Sequence, residues 1–243
     1  MDGRAHRSFL VRGAAGALLL TKAVVFDFDG TILDTETPEF EEWRAAFRAR
    51  GHDLTLDVWQ HSVGTVGAYD PGAHLADLMG VPLDHEALRQ EVYARHQTRC
   101  EAQPLLPGVV DRAREARAAG LGTAVASSSL SEWVEGWLAR HRIRDLFDAV
   151  CTRDQVAQVK PAPDLFLLAA ARLGVAPEEC VAFEDSPNGI RAARAAGMRC
   201  VAIPNPLTRH LPLGEADLVV ESLADHSLAE ILRRVRPSDG PSV

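Results

Sequence analysis

The amino-acid sequence predicts an α/β fold: a doubly wound parallel β-sheet with an all-helical insertion after its first strand. Short apolar runs of strand length alternate with stretches of helical periodicity along most of the chain. The apolar runs show almost no polar alternation, which is typical of strands that helices cover on both faces. The interval between the first run and Pro107 has no convincing strand pattern but several helical ones, so it is predicted to be a helical insertion.

The predicted strands and helices follow one another in a regular order. The first strand is 23–28, and the later ones are the Val- and Ala-rich runs 122–126, 149–151, 180–183, 200–203 and 218–220. Helical patterns lie at 109–119, 131–140, 164–173 and 189–196 and, within the insertion, at 39–50, 74–78 and 85–99. Glycine marks the end of several of these helices, as expected because glycine adopts positive φ without a side-chain clash.

The patterns divide the chain into three parts. Residues 1–20 contain arginines ahead of a short apolar run and are predicted to be a disordered or loosely docked N-terminal extension; a cleaved signal peptide is the alternative. Residues 21–34 and 105–243 are predicted to form the α/β core. Residues 35–104 are predicted to form a helical cap domain above the carboxyl ends of the strands, where open α/β sheets bind their ligands.

Composition argues against some classes of function. The 34 acidic residues outnumber the 26 basic ones and give a net charge of −8, so a broad basic face for nucleic acid is not expected. The apolar run near the N-terminus is too short to span a bilayer, and no membrane association is expected. Four scattered cysteines form no CxxC pair, which favours reduced core residues and a cytoplasmic location. We expect a monomer or a weak homodimer.

Two carboxylates mark the end of the first predicted strand. Asp27 and Asp29 lie two residues apart in the segment DFDGTILDT, so their side chains should point to the same side. Such a pair can bind magnesium through hard oxygen ligands or act as an acid–base pair. Gly30 permits the chain to turn sharply away from them. The alternative is an ordinary solvated turn after a strand.

Hydroxyl groups and a lysine follow later strands. Ser127, Ser128 and Ser129 directly follow the second predicted strand, where a hydroxyl and backbone N–H groups can bind a phosphoryl oxygen. Serine is also the ordinary helix N-cap, which is the alternative here. Lys160 precedes a proline at a turn that opens a helix. A lysine held there can neutralise phosphate charge, although an isolated lysine is usually a solvated surface residue.

Adjacent acids follow the fourth predicted strand. Glu184 and Asp185 come directly after the apolar run 180–183 and precede Asn188 and a helical pattern. Asp185 is well placed to bind a metal ion with Glu184 beside it, and the alternative is N-capping of the next helix. All four polar segments fall at the carboxyl ends of predicted strands, which meet at one edge of a parallel sheet. Together they predict a single site.

The four segments resemble the haloacid dehalogenase superfamily of aspartate-nucleophile phosphotransferases. The resemblance covers residues 21–222 and is carried by DFDGTILDT, VASSS, VKPAPDLF and FEDSPNGIRAARAAGM. It is greatest for the branch with a helical cap after the first strand, which includes phosphoglycolate phosphatase and β-phosphoglucomutase. The resemblance implies a Rossmann-like sheet, Mg²⁺ as the cofactor and a small-molecule phosphate ester as the substrate.

The resemblance also implies a role for each matching residue. Asp27 is implied as the nucleophile that forms an aspartyl-phosphate, and Asp29 as the general acid and then the base. Ser127 should hold a phosphoryl oxygen, and Lys160 should bridge the nucleophile and the phosphate. The implied metal set is Asp27, Asp29 through its backbone carbonyl, Glu184 and Asp185. The predicted substrate contacts are Thr31, Glu36, Ser128, Ser129 and Asn188.

Three functions compete on this basis. We favour a phosphatase that hydrolyses a small monoester of the sugar-phosphate, nucleotide or glycolate type. A β-phosphoglucomutase-like mutase would return the phosphoryl group to another hydroxyl of a sugar phosphate. The mutases of this branch resemble one another in a valine after the DG turn and a histidine in the cap, whereas this chain has Thr31 and Glu39 at those positions. A non-catalytic phosphate-binding regulator is disfavoured because every chemical position is intact.

Overall fold

The structure, a computed structural model of the chain, describes residues 21–67, 69–80 and 83–235. These residues form a six-stranded, all-parallel sheet with the spatial order β3-β2-β1-β4-β5-β6. Its strands are β1 (Ala23–Phe26), β2 (Gly122–Ala126), β3 (Ala149–Cys151), β4 (Cys180–Glu184), β5 (Arg199–Ala202) and β6 (Leu218–Val219). The predicted doubly wound, Rossmann-like α/β class is confirmed.

β1 lies at the centre of the sheet and separates its two halves. The chain places β2 and β3 on one side of β1 and then crosses to place β4, β5 and β6 on the other. Phe26 at the end of β1 is in register with Val125 of β2 and Phe183 of β4. The crevice outside the carboxyl ends of β1 and β4 is therefore the topological switch point, where sheets of this class bind ligands.

Helices occupy the insertion and the connections between strands. The insertion after β1 contains α1 (Glu36–Arg48), α2 (Leu56–Trp59), α3 (Pro71–Met79) and α4 (His85–Cys100). The later helices are α5 (Val109–Ala118), α6 (Ser131–Arg140), α7 (Asp164–Leu173), α8 (Pro187–Ala195) and α9 (Leu228–Arg234). The sequence patterns do not predict α2 and α9, because helices of 4 and 7 residues are too short to display a clear helical period.

Helices α1 and α8 begin earlier than predicted because each has a proline in its first turn. α1 begins at Glu36 and includes Pro38, and α8 begins at Pro187. Proline is tolerated there because the first N–H groups of a helix have no intrahelical partner. Ser186 caps α8 by accepting a hydrogen bond from the Gly189 backbone nitrogen at 3.0 Å. This cap fixes the start of α8 directly after the end of β4.

Apolar side chains cover both faces of the sheet. Val24 and Phe26 of β1 point to one face, where α5, α6 and α9 supply the covering side chains. Ala23 and Val25 point to the other face, which α7 and α8 cover. Alternate residues of one strand are thus buried on opposite faces, as the uninterrupted apolar runs predict. The buried sheet gives the residues at its carboxyl edge a fixed framework.

The helical insertion has an apolar cluster of its own. Phe40, Trp43 and Phe47 of α1 pack with Leu75 of α3 and Leu88 of α4. We call residues 35–104 the cap. The separate cluster is consistent with the predicted division into core and cap, and the domain boundaries stay a prediction.

Two parts of the predicted organisation lie outside the described residues, namely the N-terminal extension 1–20 and the end of the core after residue 235. Among the helices that the structure describes, none has the length and apolar character needed to cross a membrane.

Candidate active site

Lys160 lies at the switch point between the ends of β1 and β4. Its ammonium group forms an ion pair with Asp27, the residue after β1, and lies 2.7 Å from Glu184 Oε1 at the end of β4. All three side chains are buried, and the nitrogen lies 5.1 Å from the centre of the Phe166 ring. Burial alone would lower the pKa of Lys160, but the charges of Asp27 and Glu184 outweigh it and raise the pKa. Lys160 is therefore held as a cation.

Three carboxylates converge beside this lysine. One oxygen from each of Asp27, Glu184 and Asp185 lies within 4.8 Å of the other two. Asp185 Oδ2 accepts a hydrogen bond from Asn205 Nδ2 at 2.7 Å, whereas its buried Oδ1 has no hydrogen-bond partner among the described residues. Burial raises the pKa of Asp185 well above its ordinary value, and the neighbouring carboxylates add to the rise. The cluster thus offers one free, buried oxygen.

The charge of the cluster suits a divalent cation. Burial raises the pKa of Asp27 to about 8 against the opposing charge of Lys160, and the charges of Glu184 and Asp29 add to the rise. The positive charge of the Lys160 ammonium therefore does not balance the negative charge of all the carboxylates. A small, hard cation that binds oxygen ligands would balance the remainder. Glu184 is already engaged, because its Oε2 accepts from the backbone nitrogens of Asp185 and Ser186 at 3.0 and 3.1 Å. Glu184 thus holds the cluster in place.

Gly30 lets the chain pass close to the acidic cluster. Its φ of 84° lies in the left-handed region, and a Cβ at this position would lie 2.4 Å from Asp185 Oδ2. The same turn brings the Gly30 carbonyl oxygen to 3.4 Å from Asn205 Nδ2. The sharp turn that the sequence predicts after Asp29 is confirmed, and both the backbone conformation and the close approach require glycine.

Asp29 accepts four hydrogen bonds. Its Oδ1 accepts from Thr35 Oγ1 at 2.7 Å and from Trp133 Nε1 at 2.9 Å. Its Oδ2 accepts from Ser127 Oγ at 3.1 Å and from Ser129 Oγ at 2.7 Å. Thr35 directly precedes α1 at the start of the cap, the two serines follow β2, and Trp133 lies in α6, so both the cap and the core fix the orientation of this carboxylate. Asp29 is held at the cleft, beside the cluster around Asp27.

A cleft of 680 Å³ lies between the core and the cap in front of Asp27 and Asp29. This volume falls within the range of about 300–1,000 Å³ that small-molecule sites occupy. Ser128 and Ser129 line the cleft on the core side, and aromatic side chains contribute much of the remaining wall: Trp43, Trp59, Tyr69, Tyr93 and Trp133. The cleft can therefore hold a small organic group next to the two aspartates.

Two glutamates of α1 line the cap side of the cleft. Glu36 Oε1 accepts a hydrogen bond from the Gly64 backbone nitrogen at 3.1 Å, whereas its buried Oε2 has no partner in the described part of the chain. Burial raises the pKa of Glu36 well above its ordinary value. Burial also raises the pKa of Glu39 to about 7, and the charge of Asp29 adds to this rise. Both glutamates offer oxygens to hydrogen-bond donors of a ligand.

Thr31 and Asn188 do not line the cleft. Thr31 lies in the wall of a separate cavity of 110 Å³. Asn188 Nδ2 donates to the Val63 carbonyl oxygen at 2.9 Å, and its Oδ1 accepts from Arg191 at 2.6 Å, so Asn188 connects α8 to the cap. Ser128 does line the cleft, and its buried hydroxyl has no hydrogen-bond partner among the described residues. The predicted substrate contacts of all three residues stay predictions.

Trp133 and Asn205 contact residues of the site but are absent from the sequence prediction. Trp133 lies within α6, where its spacing cannot be distinguished from that of a core residue. Asn205 gives a clearer signal, because it follows the apolar run 200–203 as Asp185 follows 180–183. Searching every predicted strand for a polar residue just beyond its carboxyl end would have identified Asn205.

Comparison with known proteins gives consistent matches over most of the chain. A protein-family model described as haloacid dehalogenase-like hydrolase matches residues 21–197. The Bacillus subtilis (strain 168) protein YhcW, which is named provisionally as a phosphatase, is 44% identical over 213 residues, or 88% of this chain and 97% of YhcW. The fructose-1-phosphate phosphatase YqaB of Escherichia coli (strain K12) is 38% identical over 190 residues, or 74% of this chain and 95% of YqaB.

A solved structure supports the same relationship. The crystal structure of a CbbY mutant from Rhodobacter sphaeroides in complex with xylulose-(1,5)bisphosphate is 31% identical in sequence and has a TM-score of 0.69. The match covers 86% of this chain and 98% of CbbY. The similarity therefore extends over nearly the whole length of each of these relatives.

Proposed function

Because the chain belongs to the haloacid dehalogenase-like hydrolases, we propose that it hydrolyses a sugar-phosphate monoester through an aspartyl-phosphate on Asp27. The general class is established by its relatives: the chain is a phosphoric monoester hydrolase. The observation that carries the proposal is the convergence of Asp27, Lys160 and Asp185 at the end of a cleft of ligand size.

In the first step, a carboxylate oxygen of Asp27 attacks the phosphorus of the ester. The bond between phosphorus and the alcohol oxygen breaks, and Asp29 gives its proton to that oxygen. Lys160 offsets the repulsion between the Asp27 carboxylate and the anionic ester, and charge neutralisation of this kind supplies much of the catalysis in phosphoryl transfer. The Ser127 hydroxyl turns from Asp29 to a phosphoryl oxygen, which frees Asp29 Oδ2 to donate its proton to the leaving oxygen.

In the second step, water attacks the phosphorus of the aspartyl-phosphate. The bond between phosphorus and the Asp27 oxygen breaks, inorganic phosphate leaves and the Asp27 carboxylate is restored. Asp29 accepts the proton that the water loses, so it is ready to act as an acid again. One carboxylate therefore serves as nucleophile and a second moves the proton in both steps.

The residues present fit a magnesium ion. Asp185 has a buried oxygen without a partner among the described residues, and one oxygen of Asp27 lies within 4.8 Å of an oxygen of Asp185. Asp27, Asp185 and the backbone carbonyl of Asp29 would hold the ion, and Glu184 would orient the cluster. When bound, Mg²⁺ supplies positive charge that stabilises the negative charge developing on the transferred phosphoryl group.

The cap side of the cleft favours a leaving group that is rich in hydroxyls. Glu36 and Glu39 offer acceptor oxygens there, and they lie among aromatic side chains that can pack against a sugar. Neither side chain offers a positive charge that could bind a second phosphate. We therefore propose a sugar or polyol monophosphate, in line with the fructose-1-phosphate phosphatase activity named for YqaB. Bisphosphates of the kind bound by CbbY should be poorer substrates.

We further propose a cytoplasmic enzyme that acts as a monomer or weak homodimer, without nucleic acid or a membrane. All four cysteines are free and buried, as expected for reduced core residues in a reducing compartment. The net charge of −8 disfavours binding to polyanions.

A panel of phosphate esters, assayed with Mg²⁺ and with EDTA, tests the proposed function. We expect Mg²⁺-dependent release of inorganic phosphate that is greatest for sugar or polyol monophosphates and is lost in Asp27→Asn. If isomer interconversion outruns phosphate release and needs a sugar bisphosphate as activator, the protein is a mutase. If the panel shows ligand binding without turnover, it is a phosphate-binding regulator.

A further inference from the structure

Trp133 joins the carboxylate of Asp29 to the cap. Its indole nitrogen donates to Asp29 Oδ1 at 2.9 Å, and its ring stacks on His96 of the cap helix α4, with centroids 5.3 Å apart and an interplanar angle of 29°. A second residue of α4, Tyr93, has its ring centre 6.0 Å from the same indole. Trp133 belongs to α6 of the core, so one side chain contacts both the proposed proton donor and the helix opposite it.

A hydrogen bond from His96 completes the connection. His96 is buried, and its Nε2 lies 2.9 Å from the Thr35 carbonyl oxygen. Because a carbonyl oxygen can only accept, this nitrogen carries the hydrogen. The Thr35 hydroxyl in turn donates to Asp29 Oδ1 at 2.7 Å. Asp29, Trp133, His96 and Thr35 therefore form a closed ring of contacts that spans the core and the cap.

The two oxygens of Asp29 differ in the donors that they meet. Oδ2 accepts only from Ser127 and Ser129 among the described donors, and Ser127 is the residue proposed to turn toward the phosphoryl group. Oδ1 accepts from Thr35 and Trp133, which both belong to the ring of contacts. The contacts among Asp29, Trp133, His96 and Thr35 thus hold Oδ1 in place, while Oδ2 stays available for proton transfer.

We propose that Trp133 is a positioning residue that orients Asp29 so that Oδ2 faces the leaving oxygen. This orientation depends on the packing of cap helix α4 against Trp133. The inference rests on the proposed phosphatase function, because it assigns Asp29 as the proton donor. The indole N–H orients Asp29, and the ring face against His96 links that orientation to the cap. A tryptophan that served packing alone would affect all substrates equally.

Leaving groups of different basicity separate these two roles. A sugar alkoxide needs a proton to leave, whereas nitrophenolate leaves without one. A wrong orientation of Asp29 should therefore slow bond breaking in a sugar phosphate but not in a nitrophenyl phosphate. The value of kcat/KM reports on this step for both esters. The test compares the sugar phosphate that the wild type hydrolyses fastest with para-nitrophenyl phosphate in the full-length protein with Mg²⁺.

Trp133→Phe keeps an aromatic ring on His96 but removes the N–H donor. We expect it to lower the ratio of kcat/KM for the sugar phosphate to that for the aryl phosphate by about tenfold or more, since general acid catalysis contributes about 100- to 10,000-fold. Trp137→Phe is the matched control: Trp137 lies one turn further along α6 and packs edge-on against Trp133 at 5.4 Å. It should leave the ratio within about twofold of the wild type, because it makes no contact with Asp29.

A second variant guards against misfolding of the first. His96→Phe retains the stacked ring but loses the hydrogen bond to Thr35, and it should lower the same ratio in the same direction. Equal losses with both esters, or an unchanged ratio in both variants, overturn the positioning role while leaving the phosphatase intact. Failure of the wild type to hydrolyse either ester overturns the proposed function itself, and the inference with it.

Discussion

The ammonium nitrogen of Lys160 lies 2.7 Å from Glu184 Oε1, and the two side chains are 1% and 0% exposed. The same nitrogen pairs with Asp27, which is also buried. Each of these buried charges is stabilised by its oppositely charged neighbour, because water cannot solvate an unpaired charge in the interior. Lys160 should therefore matter to the stability of the fold as well as to phosphoryl transfer.

Replacing each of the two lysines of the chain by methionine separates the contribution of the buried ion pair to stability from that of an exposed one. Lys160→Met should lower the free energy of unfolding by about 3–5 kcal/mol, because it leaves two carboxylates buried without their cation. Lys22→Met is the control, since Lys22 is 43% exposed in an ion pair with Glu179, and it should cost at most about 1 kcal/mol. Urea denaturation at neutral pH measures both. Similar small losses in the two variants would mean that the buried cluster does not need Lys160.

Magnesium should stabilise the folded protein through Asp185. Any ligand that binds only the native state raises the free energy of unfolding, by about 2.7 kcal/mol when its concentration is 100 times the dissociation constant. We therefore expect Mg²⁺ to raise the melting temperature of the wild type, and Asp185→Asn to lose most of this rise. Asp145→Asn, at an exposed aspartate, should retain it. Equal shifts in all three proteins would place the ion elsewhere.

A pair of glycine substitutions tests the packing around Glu184. A Cβ at Gly189 would lie 1.8 Å from Glu184 Oε1, and Glu184 cannot move freely because Lys160 and two backbone nitrogens hold it. Gly189→Ala should therefore destabilise the protein by about 1–3 kcal/mol and lower its activity.

The matched control is Gly136→Ala on α6, where a Cβ would meet no described atom within 4 Å. This variant should be more stable by roughly 0.5–1 kcal/mol, because alanine replaces glycine within a helix. Thermal unfolding and phosphate release measure the two variants side by side. Full activity in Gly189→Ala would show that Glu184 can shift without consequence.

Glu39 should make the stability of the metal-free protein depend on pH. Its folded-state pKa is about 7 against an ordinary value of 4.5, so between these values the folded state holds a proton that the unfolded state has lost. The free energy of unfolding therefore falls as the pH rises from 4.5 to 7. Above pH 7 the ionisation of Glu39 lowers it no further. Because Glu39 is partly exposed to the cleft, we expect a modest loss of about 1 kcal/mol.

Glu39→Gln removes this titration. The variant should equal the wild type in stability near pH 4.5 and exceed it at pH 8, as measured by urea denaturation with EDTA at both values. Glu86→Gln, at an exposed glutamate of α4, should show no such difference between the two pH values. A Glu39→Gln variant that is less stable than the wild type at pH 8 would contradict the assigned burial effect.

The sheet and its acidic edge were predictable because their signals are local. The strand pattern locates β2 and β3 to the residue, Asp27 and Asp185 directly follow β1 and β4, and Lys160 lies in the loop that leads from β3 to α7. Parallel strands carry their carboxyl ends to one edge, so residues far apart in the chain meet there by topology alone. No side-chain geometry was needed to bring these groups together.

The contacts across the cleft were not predictable in this way. Trp133 reaches Asp29 because of where α6 packs and which way its indole turns, and a helical period contains neither fact. The same holds for Asn188, whose side chain is engaged by Val63 of the cap. Such residues become apparent only when the cap and the core are seen in place.

The nucleophilic role of Asp27 can be tested by trapping the phosphorylated enzyme. Asp29→Asn lacks the base for the second step, and para-nitrophenyl phosphate needs no acid in the first, so the aspartyl-phosphate should accumulate in this variant with Mg²⁺. Borohydride reduces an aspartyl-phosphate to homoserine, which peptide mass spectrometry locates. We expect homoserine at position 27, dependent on the ester. A burst of nitrophenol without modification at position 27 would contradict the assignment of Asp27 as the nucleophile. Homoserine in place of a different aspartate would contradict it as well.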